Sequence, residues 1–180
     1  MKIIVASTYE KESDMQEKNS AIDTLCPIAR SQAVVGDRWT VLILRELFMH
    51  GHRFEEIQAQ TCGTPQMIAA RLKALEADGI VERRRYSDRP PRYEYHLTEK
   101  GEAFYPVILA LRAWGEAWLK SPDEGRAIQY MHLTCGKRAG LGPTCESCGQ
   151  PMRRNELRAE LNPAYQHERD ERWEAFKNSR

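Results

Sequence analysis

The 180-residue sequence lacks any long hydrophobic run. No apolar stretch approaches the roughly 20 residues that a transmembrane helix needs. Residues 1–6 resemble the start of a signal peptide, but their apolar stretch is too short and a highly charged segment, residues 10–17, follows them. The sequence therefore predicts a cytoplasmic protein with no membrane partner.

The sequence also has little net charge, a formal +1. A hydrophobic content of 41% is too high for a disordered chain and is enough for a packed core. Low net charge does not exclude a nucleic-acid partner, because docking depends on the local charge of one face. Positive charge is concentrated between residues 81 and 92, where two acids accompany five arginines: Arg83, Arg84, Arg85, Arg89 and Arg92.

Cysteines are few and odd in number, which argues against the disulfide framework of a small secreted protein. There are five, and three of them lie in one short stretch near the C-terminus. This distribution favours a metal site accompanied by free thiols.

The first 120 residues divide into an arm and a helical region. Residues 1–20 are polar with mixed charge and predict a mobile N-terminal arm. Residues 21–120 are expected to form one domain, in which Pro27 begins a helix after Cys26. A second helix is expected over residues 37–48, ended by Gly51.

Two further helices are predicted on either side of a tight turn. The first covers residues 53–60, and the turn contains Gly63. Thr64 is a good N-cap for the second, which ends at residues 78–79. Its apolar stripe consists of Ile68, Leu72 and Leu75. Two helices joined by a short glycine-containing turn indicate a helix-turn-helix unit.

A basic β-hairpin is predicted directly after this unit. Residues 80–86 and 92–97 are typical of strands, and residues 87–91 predict the turn between them. This order is that of a winged helix, so we expect a mainly helical α+β fold. A helix over residues 98–120 carries a longer apolar stripe than the small core requires, which predicts a dimerisation helix in a symmetric homodimer.

Several motifs in this region resemble those of HxlR-type regulators. They are residues 26–28, 36–40, 43–47, 53–57, 71–83 and 90–101. The resemblance covers residues 25–120 and implies a dimeric winged-helix transcription factor related to the MarR-like regulators. One departure is Arg38, because lysine is more usual before this tryptophan.

The resemblance and the order of the elements predict how DNA is bound. A recognition helix, residues 64–78, is expected in the major groove of a double-stranded operator, and a wing, residues 83–96, on the minor groove or the backbone. Gln66 suits adenine, and Arg71 suits guanine or phosphate. Arg38 and Arg53 are expected to contact phosphate or to form ion pairs within the chain. The candidate DNA-binding residues are Arg38, Arg53, Thr64, Gln66, Met67, Ala70, Arg71, Arg89 and Arg92.

The signal that controls such a regulator has two candidates. Cys26 lies at a helix start with Arg30 one turn on, and both features lower a thiol pKa. It also matches the N-terminal cysteine that serves some HxlR-type regulators as an oxidation sensor. Alternatively, Cys26 is a small residue without chemistry, and the signal is a small-molecule inducer in the dimer interface.

The C-terminal part contains a second pattern. His132 and Cys135 precede Gly136, while Cys145 and Cys148 precede a second glycine. One imidazole and three thiolates suit tetrahedral zinc, so residues 126–152 predict a zinc-ribbon-like appendage; a ribbon held by packing alone is the alternative. Residues 153–180 are charged and predict one or two short helices broken at Pro163, without an assigned role.

Two other classes of function compete with a regulator. A protein-interaction adaptor can use the same winged helix and zinc ribbon. A thiol oxidoreductase would use the C-x2-C pair, but no β-α-β unit surrounds it. We therefore expect a protein that is not an enzyme. The operator sequence, the identity of the signal and the choice between repression and activation do not follow from the sequence.

Overall fold

The computed structural model describes residues 23–179. The arm expected for residues 1–20 lies outside the described residues. The chain separates into two units, Met1–Val41 and Leu42–Arg180, and each is described by itself.

The first unit contains helix α1 (Pro27–Val35) and the start of helix α2 (Arg38–Phe48). Pro27 occupies the first turn of α1, as predicted, where its fixed φ suits the helix and its missing N–H costs nothing. The Asp37 carboxylate accepts hydrogen bonds from the backbone N–H groups of Trp39 (2.8 Å) and Thr40 (3.2 Å). This carboxylate therefore caps α2.

In the second unit, the rest of α2 packs Ile43, Leu44 and Leu47 into the core. α2 ends at Phe48, as predicted, but His50, rather than Gly51, takes a left-handed φ of 66°. The Gly51 N–H returns to the Glu46 carbonyl at 2.9 Å, which completes the turn.

Helices α3 (Phe54–Thr61) and α4 (Pro65–Ala77) form the predicted helix-turn-helix unit. A Cβ on Gly63 would lie 2.6 Å from Ile68 Cδ1, so a larger residue in this turn would displace the buried Ile68 side chain. The hydroxyl oxygen of Thr64 accepts a hydrogen bond from the Met67 N–H, as expected of an N-cap. The predicted core stripe of Ile68, Leu72 and Leu75 is confirmed, because all three are buried.

The wing consists of antiparallel strands β1 (Val81–Asp88) and β2 (Pro91–Leu97). The turn predicted over residues 87–91 is wrong in length, because Ser87 pairs with Arg92 and Asp88 pairs with Pro91. Only residues 89–90 lie between the two strands. The bulge between Arg85 and Ser87 adds the residue that brings the tip into register.

The long helix expected over residues 98–120 is divided into α5 (Glu99–Glu102) and α6 (Tyr105–Trp118). The prediction of one continuous helix is wrong because Pro106 lacks an N–H and its ring would clash with the carbonyl four residues earlier. A proline is instead well placed in the first turn of a new helix. Gly101 permits α5 to approach the wing, since a Cβ there would lie 2.3 Å from the Ile80 carbonyl oxygen.

A second antiparallel sheet follows a 3-10 turn, Pro122–Glu124. Its strands β3 (Ile128–His132), β4 (Lys137–Arg138) and β5 (Leu157–Leu161) are ordered β4-β3-β5. The sequence predicts an appendage that ends at residue 152, yet β5 pairs with β3 along its whole length. We call residues 126–161 the ribbon.

The chain ends in one helix, α7 (Pro163–Asn178). The prediction of helices broken at Pro163 is wrong, because this proline begins the helix and Asn162 caps it by accepting from the Ala164 N–H at 2.8 Å. α7 packs against α3, where the Gln60 side-chain amide donates to the Arg169 carbonyl at 2.8 Å. Within residues 23–179, no helix has the length and apolar character needed to cross a membrane.

Candidate nucleic-acid interface and metal centre

The outward face of α4 presents most of the predicted base-reading residues. Thr64, Gln66 and Ala70 are exposed, whereas Met67 and Arg71 are partly buried. Thr64 accepts the helix-capping hydrogen bond with its oxygen, so its hydroxyl proton can still be donated to a phosphate. The face has the mixed polar and small side chains that fit a major groove.

The tip of the wing carries two exposed arginines, Arg89 and Arg92. Neither forms an ion pair with another residue of the described segment 23–179. A guanidinium that is not neutralised within the chain is available for a phosphate or a narrow minor groove.

The other wing arginines have partners on the protein. Arg83 stacks on the Tyr93 ring, with its guanidinium carbon 4.3 Å from the ring centroid. Arg84 pairs with Glu82, and Arg85 Nε lies 3.1 Å from the Asp88 carboxylate. The positive segment seen in the sequence is thus partly neutralised along the strands and is uncompensated at the tip.

Arg53 connects α3 to the wing. Its Nε donates to Glu94 Oε1 at 3.3 Å, and its guanidinium carbon lies 5.0 Å from the Tyr86 ring centroid. The hydrogen bond to Glu94 raises the pKa of Arg53. The ion pair foreseen as the alternative is therefore present, and a phosphate contact by the exposed part of this side chain stays a prediction.

Arg38 and Cys26 lie in the first unit. The Arg38 guanidinium is 5.0 Å from the Trp39 ring centroid and is exposed. The Cys26 thiol is free and exposed at the N-cap of α1. Arg30 Nε donates to the Thr24 carbonyl, so the influence expected of this cation on the thiol remains a prediction.

The four residues of the predicted metal site are brought together. Their ligand atoms all lie within 4.8 Å of one another. Cys135 Sγ is 3.6 Å from His132 Nδ1 and 3.9 Å from Cys145 Sγ. Cys148 Sγ is 3.3 Å from the same imidazole nitrogen. The cluster could therefore hold a metal ion through three sulfurs and Nδ1.

Two glycines shape the turns that carry the cluster. Gly136 and Gly149 have φ values of 67° and 75°, which glycine adopts without strain. The Gly136 N–H returns to the His132 carbonyl and the Gly149 N–H to the Cys145 carbonyl, each at 2.8 Å. These turns bring the three thiols close to one another, as their sequence pattern indicates.

The electrostatic surroundings act in opposite directions on two cluster thiols: burial and hydrogen bonds with the other thiols raise the pKa of Cys148, whereas the pKa of Cys145 is lowered. Burial raises the pKa of the Cys145 thiol, but hydrogen bonds from the backbone of Ser147 and Cys148 outweigh burial and bring the pKa to about 7. His132 is buried, and its Nε2 lies 3.8 Å from a carboxylate oxygen of Glu156. That distance is too long for a hydrogen bond, and the sulfurs lie 3.3 and 3.6 Å from Nδ1, so Nδ1 is the nitrogen placed to be a ligand.

Two arginines that the sequence analysis did not identify attach the ribbon to the helices. From α6, Arg112 donates to the Leu141 carbonyl at 3.1 Å and to the Gly140 carbonyl at 3.3 Å, and stacks on Tyr130 at 4.8 Å. From the ribbon, Arg154 donates to the last carbonyls of α2, at Leu47 and Phe48, at 3.1 Å each.

Arg154 also reaches α5 and the α2 turn. Its Nη1 donates to Glu102 Oε1 at 2.6 Å, and its Nη2 lies 3.1 Å from His50 Nδ1. A cavity of about 710 Å³ adjoins these groups. Nothing in the local spacing of Arg112 or Arg154 distinguishes them from surface arginines, so their roles depend on tertiary structure.

An apolar face of α6 is exposed. Tyr105 and Leu109 point into the core, and the opposite side of the helix presents Val107, Leu111, Trp114 and Trp118. The exposed fractions of the two tryptophans are 55% and 75%. The predicted apolar stripe is therefore present, and most of its side chains are not buried within one chain.

Comparison with known proteins agrees with this architecture. A family model described as HxlR-like helix-turn-helix matches residues 34–123. An HTH-type transcriptional regulator of Mycobacterium tuberculosis, itself uncharacterised, is 37% identical over 139 residues, which cover 77% of this chain and 87% of the relative. An uncharacterised HTH-type regulator of Synechocystis is 35% identical over 120 residues, covering 66% of this chain and 82% of the relative.

A solved structure extends the likeness to three dimensions. The crystal structure of PA1607, described as a candidate transcription factor, matches with a TM-score of 0.61 at 30% sequence identity. The match covers 79% of this chain and 99% of that one. From the extent of the family match and the coverage of its relatives, the chain belongs to the HxlR-like helix-turn-helix family of transcriptional regulators.

Proposed function

We propose that the protein is a homodimeric regulator that binds an inverted-repeat DNA operator. The observation that carries the proposal is the exposed face of α4 beside a wing whose tip arginines, Arg89 and Arg92, have no ion-pair partner among residues 23–179. α4 would enter the major groove and the tip would contact the flanking minor groove or phosphates.

The exposed face of α6 supports a homodimer. Large apolar side chains at positions 107, 111, 114 and 118 recur at helical spacing and cost free energy when exposed to water. Two copies of this face, related by a twofold axis, would bury them and present two copies of α4. The inverted repeat follows from that symmetry.

Selection of bound duplexes from a random DNA pool tests the proposal. We expect an inverted-repeat motif from the native chain, with altered preference at one base pair per half-site for Gln66→Ala, whose side chain is exposed in α4. Arg158→Ala, an exposed ribbon arginine paired with Glu160, is the control and should select the native motif. If no motif is enriched, a protein-interaction adaptor becomes the better description.

We further propose that the Cys/His cluster binds zinc. A tetrahedral zinc ion with Zn–S of about 2.3 Å and Zn–N of about 2.0 Å places sulfurs about 3.8 Å apart and a sulfur about 3.5 Å from the nitrogen. Three of the six separations, 3.9, 3.6 and 3.3 Å, are near those values, and all six are within 4.8 Å. The chemistry that zinc supplies when bound is structural, because all four positions are taken by protein ligands.

Metal analysis of the purified chain tests this second proposal. We expect one zinc ion per chain, lost in Cys145→Ser, since a serine hydroxyl is a poor zinc ligand. Cys62→Ser is the matched control, because Cys62 lies at the end of α3 and outside the cluster. A metal-free native chain would leave a ribbon held by packing alone.

The signal that controls DNA binding has two candidates, a thiol oxidant and a small-molecule inducer. A thiol oxidant acting at Cys26 predicts an intermolecular disulfide or altered DNA affinity after mild oxidation, abolished in Cys26→Ser. A small-molecule inducer would instead bind in the dimer interface and change affinity without altering the thiols. Whether DNA binding represses or activates transcription depends on the promoter in which the operator lies.

A further inference from the structure

The Cys/His cluster has one side open to solvent. His132 and Cys145 are almost completely buried, Cys135 is partly buried and Cys148 is exposed. Small reagents in solution reach the cluster at Cys148 first.

The exposed sulfur has neighbours with which it can react. The ligand atoms of the cluster lie within 4.8 Å of one another, and Cys145 is only three residues away. A disulfide needs its sulfurs about 2.05 Å apart, so side-chain rotation and a modest movement of the turn are sufficient. An accessible cysteine that lies beside a second thiol is the usual setting of a redox-active pair.

We propose that the cluster is an oxidation site for hydroperoxides, and that its oxidation expels the metal. The inference rests on the zinc-binding part of the proposed function. It places the thiol chemistry of this regulator in the ribbon, at a position separate from Cys26.

The reaction takes place in two balanced steps. The Cys148 thiolate attacks the terminal oxygen of the hydroperoxide, so an S–O bond forms, the O–O bond breaks and the alkoxide leaves as an alcohol after taking a proton. The Cys145 thiolate then attacks the Cys148 sulfur, which forms the S–S bond and releases hydroxide, protonated to water. Two thiolates lose two electrons in total, and one hydroperoxide is reduced to an alcohol and water.

Loss of the metal has a structural consequence, because the ribbon has little core of its own. Its buried apolar side chains are Ile128, Ala139 and Met152, apart from Cys145 itself. A core of this size contributes little free energy of folding, so a bound metal would supply a large part of the stability of the sheet. Expulsion of the metal should therefore loosen β5.

Two sets of contacts connect the segments on either side of β5 to the helices, so a less stable β5 is expected to weaken them. Arg154, directly before β5, holds the last carbonyls of α2 and the Glu102 carboxylate. α7, directly after β5, holds Glu46 of α2 through Arg169. Oxidation at the ribbon is thus expected to weaken the attachment of α7 to the winged helix.

The experiment uses the full zinc-loaded chain carrying Cys26→Ser and Cys62→Ser, so that only the three cluster thiols remain. Cumene hydroperoxide is added in steps, while zinc release is followed with a chromogenic chelator and thiols with a thiol reagent. We expect release of one zinc ion per chain together with loss of two thiols. Retention of zinc and of all three thiols, at doses that oxidise free cysteine, would overturn the proposal.

A second variant keeps the metal and removes the exposed sulfur. Cys148→His in the same background gives a Cys2His2 set, which also binds zinc. We expect it to retain zinc at peroxide doses that empty the parent. Equal rates of zinc loss in the two proteins would contradict the role of Cys148.

Hydrogen exchange of the parent before and after oxidation tests the structural consequence. Amides of β5 and α7 should exchange at least about tenfold faster after zinc release, whereas those of α4 should change less. Unchanged exchange in β5 and α7 would overturn the coupling. DNA selection by the untreated protein is measured separately, so failure to bind an operator would sink only the DNA proposal.

Discussion

Arg169 Nη2 lies 2.6 Å from Glu46 Oε2, and the two residues are 123 positions apart in the chain. The Glu46 side chain is completely buried in α2, and its carboxylate also pairs with Arg45 at 2.7 Å. A buried carboxylate needs such partners, because removal from water without them is costly. The C-terminal helix α7 thus supplies a second positive partner for the buried carboxylate of the winged helix.

Removal of Arg169 should destabilise the chain. Breaking a buried ion pair costs about 3–5 kcal/mol, and Arg169→Met should lie at the lower end because Arg45 remains beside Glu46. The measurement is urea unfolding followed by tryptophan fluorescence. Arg172→Met, which breaks a more exposed pair with Glu168 in the same helix, is the control and should cost less than about 1 kcal/mol.

A second substitution separates the effect of an unpaired Glu46 carboxylate from the effect of lost packing by Arg169. Glu46→Gln combined with Arg169→Met removes the uncompensated charge and should recover part of the lost stability. If the double variant is less stable than Arg169→Met alone, an unpaired Glu46 carboxylate is not the reason.

Dimerisation should depend on the exposed face of α6. Trp114→Glu places a charge in the centre of that face and is expected to shift the chain from dimer to monomer in sedimentation experiments, because the carboxylate would have to be buried at the interface. Ala117→Glu adds the same charge on the flank of α6 and should leave the dimer intact. A dimeric Trp114→Glu protein would show that another surface joins the subunits.

The wing tip should contribute to DNA affinity through charge. Arg92→Ala is expected to weaken binding to all sequences to a similar extent and to reduce the slope of log affinity against log salt by about one. The matched control is Arg158→Ala, which removes an exposed arginine from the ribbon. An unchanged slope would mean that Arg92 is not at a phosphate.

Acid should weaken the contact between the ribbon and α2. Burial and the nearby Arg154 guanidinium lower the pKa of His50, so the folded chain binds this proton less readily than the unfolded chain. The contribution of His50 is therefore present above its ordinary pKa of 6.5 and is lost as the pH falls below that value.

Urea unfolding at about pH 7.5 and about pH 5.5 measures this loss. His50→Gln should reduce the difference in stability between the two values, whereas His167→Gln, at an exposed position in α7, should not. Burial also lowers the pKa of His96, which adds to the decrease with acid and remains in both variants. An identical pH dependence in native and His50→Gln proteins would exclude His50 as a cause.

The winged helix was predictable because its signals are local. Turn glycines, N-caps and periodic apolar residues determine α3, α4 and the wing within short windows, and Ile68, Leu72 and Leu75 occupy the core as expected. The division at Pro106 was also readable from the sequence, since a proline there forbids a continuous helix. The cluster was predictable for the same reason, because its two turns are marked by cysteine and glycine spacing.

The C-terminal region was not predictable in the same way. β5 has exposed residues at positions 158–160 and can be recognised as a strand only from its pairing with β3. The contacts of Arg112, Arg154 and Arg169 join residues far apart in the chain, which no local pattern encodes. Glu46 did carry a signal, because a carboxylate between Leu44 and Leu47 on a buried face requires a partner.

The large sequence separation between Glu46 and Arg169 also affects how the chain folds while it is being synthesised. A ribosome delivers α2 and the whole winged helix before it delivers α7, and domains generally fold in the order in which they emerge. The nascent domain must therefore collapse around a carboxylate with Arg45 as its partner until the last helix arrives. A truncated or stalled chain would remain in that incomplete state. Quality-control proteases would then encounter a winged helix that is folded but lacks α7 and the ion pair between Arg169 and Glu46.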